Sequence, residues 1–270
     1  MLLGGPILKP YANPEEWLAL VKEMKYTAVY FPVDSSADDA VIEAYAQTAQ
    51  ENGLVIAEIG VWRNVLSPNP DERKTAMDYA KKQLALADRV GAKCCVNISG
   101  SRGQPWDGPH PANFTRETFD LIVQSVCEII DAVQPARSCY SLEPMPWMYP
   151  HTADVYAELI QAIDRKAFGV HFDPVNIITN PFDCYRTGEI IQEWFDKLGP
   201  NIVSCHGKDV TLESRLTVHI NETRPGKGIL DYRSYIDCLK KHPHVPLMTE
   251  HMNNHEDVVL ADAYIRGFLR

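Results

Sequence analysis

FGVHFDP, residues 168–174, decides the fold. Its residues are near-continuously apolar up to Phe172, as in a strand buried on both faces. Asp173-Pro174 then closes the run, a pair that favours a turn. Three more segments end the same way: CYSLEP (139–144) at Glu143, IVSCHGKD (202–209) at His206 and PLMTEH (246–251) at Glu250. Each is followed by a loop and then a helical pattern. Further apolar runs at Leu2–Leu8, Ala28–Phe31, Leu54–Val61 and Cys94–Ile98 bring the strand candidates to eight.

Amphipathic stretches alternate with these runs. Asn13-Pro14-Glu15-Glu16 opens the first with an N-cap, a proline at N1 and acids in the first turn. The second follows Ser36 and Asp38 and stops at Asn52-Gly53. Asp71–Val90, Thr115–Val133, Thr152–Ile163, Glu189–Leu198, Asp231–Lys241 and Glu256–Phe268 complete the set. Eight strand–helix units without a compositional break predict one α/β domain over residues 1–270, a (β/α)8 barrel. The length is near the ~250 residues usual for that fold. Barrel enzymes build their sites at the C-terminal ends of the strands. The two longest loops, 100–113 and 210–230, both leave that end.

Composition narrows the function. The formal charge is −10, so the average field repels a phosphate backbone, and nucleic acid is a poor partner. No apolar run approaches the ~20 residues of a membrane span. MLLGGPILKP lacks a basic n-region and reads as a first strand, not a signal peptide. Seven cysteines without a CxxC suit reduced, mostly buried thiols in a cytoplasmic protein.

Taken singly, the strand-end residues have ordinary readings. Glu143 could cap a helix, His206 could be a satisfied core histidine, and Asp173 could serve its turn. Together they occupy the same end of strands five to eight, where neighbouring strands bring side chains together. Three carboxylates there would repel and suffer desolvation, and a divalent cation removes that penalty. Three carboxylates and an imidazole form a hard set, with Mn²⁺ the foremost choice and Mg²⁺, Co²⁺ or Zn²⁺ admissible. The lack of paired Cys ligands argues against structural zinc.

At these residues the chain resembles the xylose-isomerase-like TIM-barrel superfamily, the sugar phosphate isomerase/epimerase group, over essentially its whole length. The shared motif is Glu143 on strand five, Asp173 on strand six, His206-Gly207-Lys208-Asp209 on strand seven and Glu250 on strand eight. Gly226-Lys227-Gly228-Ile229-Leu230-Asp231 matches the family's Gly-x-Gly-x-x-Asp before the last helix. The resemblance implies a metal-dependent isomerase or epimerase of a keto sugar or sugar derivative. It implies that Glu143 and Glu250 both ligate the metal and move protons, through abstraction α to a carbonyl and a metal-stabilised enediolate. Ketose 3-epimerases of the group often carry Asp-x-x-His on strand six. This chain has Asn176 instead, which can hydrogen-bond a substrate but cannot carry a proton.

Around this set, Lys208 is a candidate for binding a substrate oxygen, with Asp209 orienting it; an ion pair at a strand end is the plain alternative. His171 lies two residues before Asp173 and is expected to hydrogen-bond behind the ligands rather than bind metal. Trp106 and Trp147 could line a sugar face, or pack a lid. His219 and Arg224 could reach a distal hydroxyl or phosphate, or sit on a solvated loop. Glu58, Trp62, Asn64, Asn97, Arg102 and His110 are softer candidates near strands three and four.

Competing functions share the scaffold. A lyase or dehydratase acting on a keto sugar, an inosose or a 3-keto-glycoside, C-glycosides included, would use the same metal and bases. An AP endonuclease needs histidines from early strands, whereas the first here is His110. A non-catalytic sugar-binding barrel would leave the ligand set unexplained. The expected partner is a small carbohydrate, with no nucleic acid and no membrane. The resemblance also implies a possible homo-oligomer or small second subunit.

Overall fold

The computed structural model describes residues 1–269, and eight parallel strands form where the apolar runs fall, several of them shorter. β1 is Leu2–Gly4 rather than Leu2–Leu8, since Pro6 has no amide to give a ladder. α1 (Pro14–Glu23) begins at Asn13, whose side chain accepts the Glu16 N–H at 2.9 Å. β2 (Ala28–Tyr30), α2 (Asp39–Glu51) and β3 (Val55–Gly60) follow. α3 (Pro70–Val90) is capped by Asn69 and stopped by Gly91 in the left-handed region, φ 72°. β4 (Cys94–Asn97), α4 (Arg116–Val133), β5 (Tyr140–Leu142), α5 (Ala153–Ile163) and β6 (Phe168–Phe172) continue the alternation.

Two features after β6 depart from the sequence reading. A short helix, α6 (Pro181–Cys184), precedes α7 (Thr187–Leu198). The long loop after β7 (Ile202–Gly207) is no bare loop but an antiparallel hairpin of β8 (Asp209–Leu212) and β9 (Ile220–Thr223). α8 (Tyr232–Lys241), β10 (Pro246–Thr249) and α9 (His255–Gly267) end the chain.

The eight barrel strands make one sheet in the order β1-β10-β7-β6-β5-β4-β3-β2. Its two ends meet: Thr27 N–H donates to the Leu3 carbonyl at 3.0 Å, and Leu3 N–H to Thr27 Oγ1 at 3.1 Å. The strand order and the alternating helices are those of a (β/α)8 barrel. Inter-residue contacts group the chain into two compact units. One comprises Met1–Tyr30, Ala44–Val55 and the chain from Phe172 onward, with Tyr235, Ile236, Leu247, Val258 and Ala261 fully buried. The other comprises Phe31–Glu43 and Ile56–His171, with Leu84, Val96, Ile129, Leu142 and Leu159 fully buried. Burying each such Leu, Ile or Val contributes about 1.5–3 kcal/mol. All seven cysteines are free and six are buried. Among the described residues no helix is long and apolar enough to cross a membrane.

One buried acid opposes this stability. Asp262 on α9 accepts the Thr249 hydroxyl at 3.5 Å, and burial pushes its carboxyl up to about 6 against the pull of Tyr26, Arg266 and Thr249. The folded chain therefore keeps a proton that the unfolded chain loses near pH 4. Stability is unimpaired below that pH and falls as the pH rises through 6, by about 2–3 kcal/mol. Asp262→Asn is expected to raise the urea midpoint at pH 8 and to change it little at pH 4. An equal shift at both pH values would refute the assignment.

Candidate active site

Strand alternation places His206 and Lys208 on one face of the sheet end. β7 and β10 pair with Met248 opposite His206 and Thr249 opposite Gly207, so Glu250 emerges beside Lys208. Two tyrosines of α8 fix this strand end: Tyr235 Oη donates to the His206 carbonyl at 2.9 Å and Tyr232 Oη to the Lys208 carbonyl at 2.7 Å. Asp173 follows β6 in an Asx turn, its Oδ1 accepting the N–H groups of Val175 (2.9 Å) and Asn176 (3.3 Å). That leaves Oδ2 for the site.

The side chains converge there. His206 Nδ1 lies 3.0 Å from Glu250 Oε1 and 3.5 Å from Asp173 Oδ2. Lys208 Nζ lies 2.8 Å from Asp173 Oδ2 and 2.9 Å from Glu250 Oε1, and donates to Asn176 Oδ1 at 3.0 Å. His206, Asp173 and Lys208 are buried. Burial would raise both carboxyl pKa values, but Lys208 and His206 overcome it. Asp173 is held well below the usual carboxylate range, and Glu250 is lowered to about 2. Both are ionised at neutral pH.

Asp173, His206 and Glu250 each offer one ligand atom, all within 4.8 Å of one another. Glu143 is buried just past β5, its N–H donating to the Asn97 carbonyl at 2.8 Å. Two carboxylate oxygens and one imidazole nitrogen suit a hard divalent cation. The donor chemistry thus fits a metal, with Asp173, His206 and Glu250 as residues that could hold it.

Other expected residues find definite places. His171 Nε2 is 2.9 Å from Glu58 Oε1, both side chains fully buried. Asp209, expected to orient Lys208, instead spends its carboxylate on backbone: it accepts the N–H groups of Val210, Gly226, Gly228 and Leu230 at 2.8–3.0 Å. This explains the Gly-x-Gly-x-x-Asp stretch, since a Cβ on Gly228 would lie 2.2 Å from Asp209 Oδ1. Trp147 Nε1 donates to the Asp107 carbonyl at 2.6 Å and so pins the fourth loop to the fifth. Arg224 pairs with Asp257 at 3.1 Å, and Arg102 donates to the Leu66 carbonyl at 2.6 Å. His110 caps the turn at Ala112.

The hairpin redirects the seventh loop. Leu212 pairs with Ile220 at its far end and Asp209 with Thr223 at its base. His219 therefore sits at the far end, about 10 Å along the strand from the base. Glu222 is the residue brought in, its Oε2 lying 3.3 Å from Lys208 Nζ and its Oε1 2.9 Å from His251 Nδ1. The hydrogen bond to Glu222 raises the His251 pKa. Neither Glu222 nor His251 stood out in the sequence; the signal was the alternation of HINET facing DVTL, which marks a hairpin.

Asp209 makes this arrangement testable. Asp209→Ala removes the acceptor for four backbone donors, of which the Val210 and Leu230 amides are buried, and is expected to cost at least about 2 kcal/mol. The amides of Gly226, Gly228 and Leu230 should exchange with deuterium markedly faster. Unchanged exchange would show that something else holds the loop.

The chain belongs to the family described as xylose isomerase-like TIM barrel, whose model matches residues 18–265. Among solved structures it is similar to a xylose isomerase-like TIM barrel protein from Mycobacterium smegmatis in complex with magnesium. That match has 18% identity and TM-score 0.68, covering 96% of this chain and 88% of the other. The 3-keto-D-glucoside 4-epimerase of E. coli matches at 15% identity and TM-score 0.70, over 99% of both chains. A probable 3-DHS dehydratase from Bacillus anthracis matches at 14% and 0.71, over 97% of this chain and 95% of the other. At these identities the likeness establishes the fold alone. Comparison with curated proteins yields no match.

Proposed function

We propose that the protein is a divalent-metal-dependent isomerase or epimerase of a keto sugar or sugar derivative. The observation that carries this reading is the convergence of Asp173, His206 and Glu250 to within 4.8 Å; the family resemblance adds Glu143 as the fourth ligand. The bound cation, Mn²⁺ foremost, would supply Lewis-acid polarisation of the substrate carbonyl. Glu143 and Glu250 would move protons at the carbon α to that carbonyl, one removing and the other returning. Lys208 would donate to a substrate oxygen, within reach of Asn176. Burial of Asp173 and His206 keeps water from competing at the site. Seven free thiols support a reducing, cytoplasmic setting.

The test is deuterium exchange. Protein loaded with Mn²⁺ and incubated in D₂O with free ketoses or 3-keto-glucosides should incorporate deuterium α to the carbonyl, read by NMR. Epimerised product supports the reading. A lyase is the second reading, and the dehydratase among the structural neighbours favours it. Release of an aglycone or water in place of an epimer would select it. Binding without exchange of any α-proton would overturn both.

A further inference from the structure

Beside β3 and β4 lies a cavity of about 540 Å³, lined by Trp62, Arg63, Trp106, Asp71, Glu72 and Thr75 among others. None of these residues belongs to the ligand set. The volume falls within the ~300–1,000 Å³ of small-molecule sites. Two features set it apart from a fold in a loop.

The first is Trp62. Its φ is 48°, in the left-handed region that bulky residues rarely occupy. Such a conformation persists only where the surroundings impose it, and here they do. Asn97, itself fully buried, donates from Nδ2 to the Arg63 carbonyl at 2.9 Å and accepts the Arg63 N–H on Oδ1 at 3.3 Å. Val61 N–H donates to the Val96 carbonyl at 2.8 Å. Gly60 leaves room for the indole: a Cβ there would sit 2.1 Å from Trp62 Nε1. Held this way, Trp62 remains 37% exposed instead of packing into the core.

The second is the bracing around Trp106. Ser101 N–H donates to the Trp106 carbonyl at 2.7 Å, and Asn64 Nδ2 to the Ser101 carbonyl at 2.8 Å. Both tryptophans are thus fixed through their backbones before any ligand arrives, which lowers the ordering cost of binding. Two indoles offer flat apolar faces. Asp71, Glu72, Thr75 and Arg63 offer acceptors and donors at the edges. A pyranose has that same division, C–H faces and a hydroxyl rim.

We propose that this cavity is a saccharide-binding site that takes a neutral pyranose ring against the indoles of Trp62 and Trp106, with its hydroxyls met by Asp71, Glu72 and Arg63. The ligand class rests on the sugar reading of the active site, so binding is measured without turnover. The experiment is isothermal titration of chelator-treated full-length protein with methyl β-D-glucopyranoside, cellobiose and maltose, and with 4-nitrophenol as an aromatic probe. At least one saccharide should bind, and Trp62→Ala should weaken it about tenfold or more. Gly60→Ala should do the same while keeping the indole, because the new Cβ displaces it; circular dichroism verifies that each variant is folded. Saccharide affinity unchanged in both folded variants, no saccharide binding, or binding of 4-nitrophenol alone would overturn the proposal. Loss of deuterium exchange at the metal site with saccharide binding intact would count against the catalytic reading and leave this site standing.

Discussion

Exchanging Glu250 for glutamine is expected to lower turnover by about 10²–10⁴-fold, the range typical of a positioned acid–base group. Glutamine keeps the length of the side chain and one carbonyl oxygen but cannot accept a proton. The Glu250 carboxyl is lowered to about 2, because His206 at 3.0 Å and Lys208 at 2.9 Å outweigh its burial. A carboxylate has two oxygens, so one can serve a cation while the other faces substrate. Loss of activity alone would not separate a lost base from a lost ligand. The variant is therefore assayed at saturating Mn²⁺, with metal content measured in parallel and α-proton exchange followed by NMR. A variant that carries stoichiometric metal yet exchanges slowly identifies Glu250 as a proton-transfer group. Full exchange by Glu250→Gln with metal bound would end that assignment. If metal content falls and excess Mn²⁺ restores full exchange, the role is ligation only.

The strand-end pattern was legible because β6 and β10 stop where their apolar runs stop, at Asp173 and Glu250. Period and termination are local properties, and the register of a parallel sheet carries them directly into space. The hairpin was less legible. Its loop is polar and its strands are short, and its base is held by the Asp209 carboxylate gathering the Gly226, Gly228 and Leu230 amides. Periodicity does not report such a side-chain hub. The same limit hid Glu222, which matters only because the hairpin folds back. Lys208 shows a third limit. Its position after the histidine was plain, but its partners were not, since they come from Asp173, Asn176, Glu222 and Glu250, all distant in sequence.

Lys208→Met is expected to destabilise the metal-free protein by about 3–5 kcal/mol, the cost of leaving a buried ion pair with one partner. Lys208 is 1% exposed, and its ammonium lies within 3.3 Å of three carboxylates, on Asp173, Glu222 and Glu250. Methionine retains the apolar stem and removes the charge, so packing changes little while the acids lose their counter-charge. A divalent cation at the same carboxylates can replace that charge. Metal should therefore rescue the variant more than it stabilises the wild type, for which a cation at 100 times its dissociation constant adds about 2.7 kcal/mol. The measurement is urea denaturation after chelation, repeated with excess Mn²⁺, for both proteins. A smaller gap between variant and wild type in Mn²⁺ than in chelator shows that lysine and cation neutralise the same acids. If the gap is the same in both conditions, the lysine stabilises the fold through packing or through contacts the metal does not share. If the metal-free variant is as stable as the wild type, the ion pairs at Lys208 contribute nothing net, and its role shifts wholly to the substrate. A raised KM with unchanged stability would then be the expected signature.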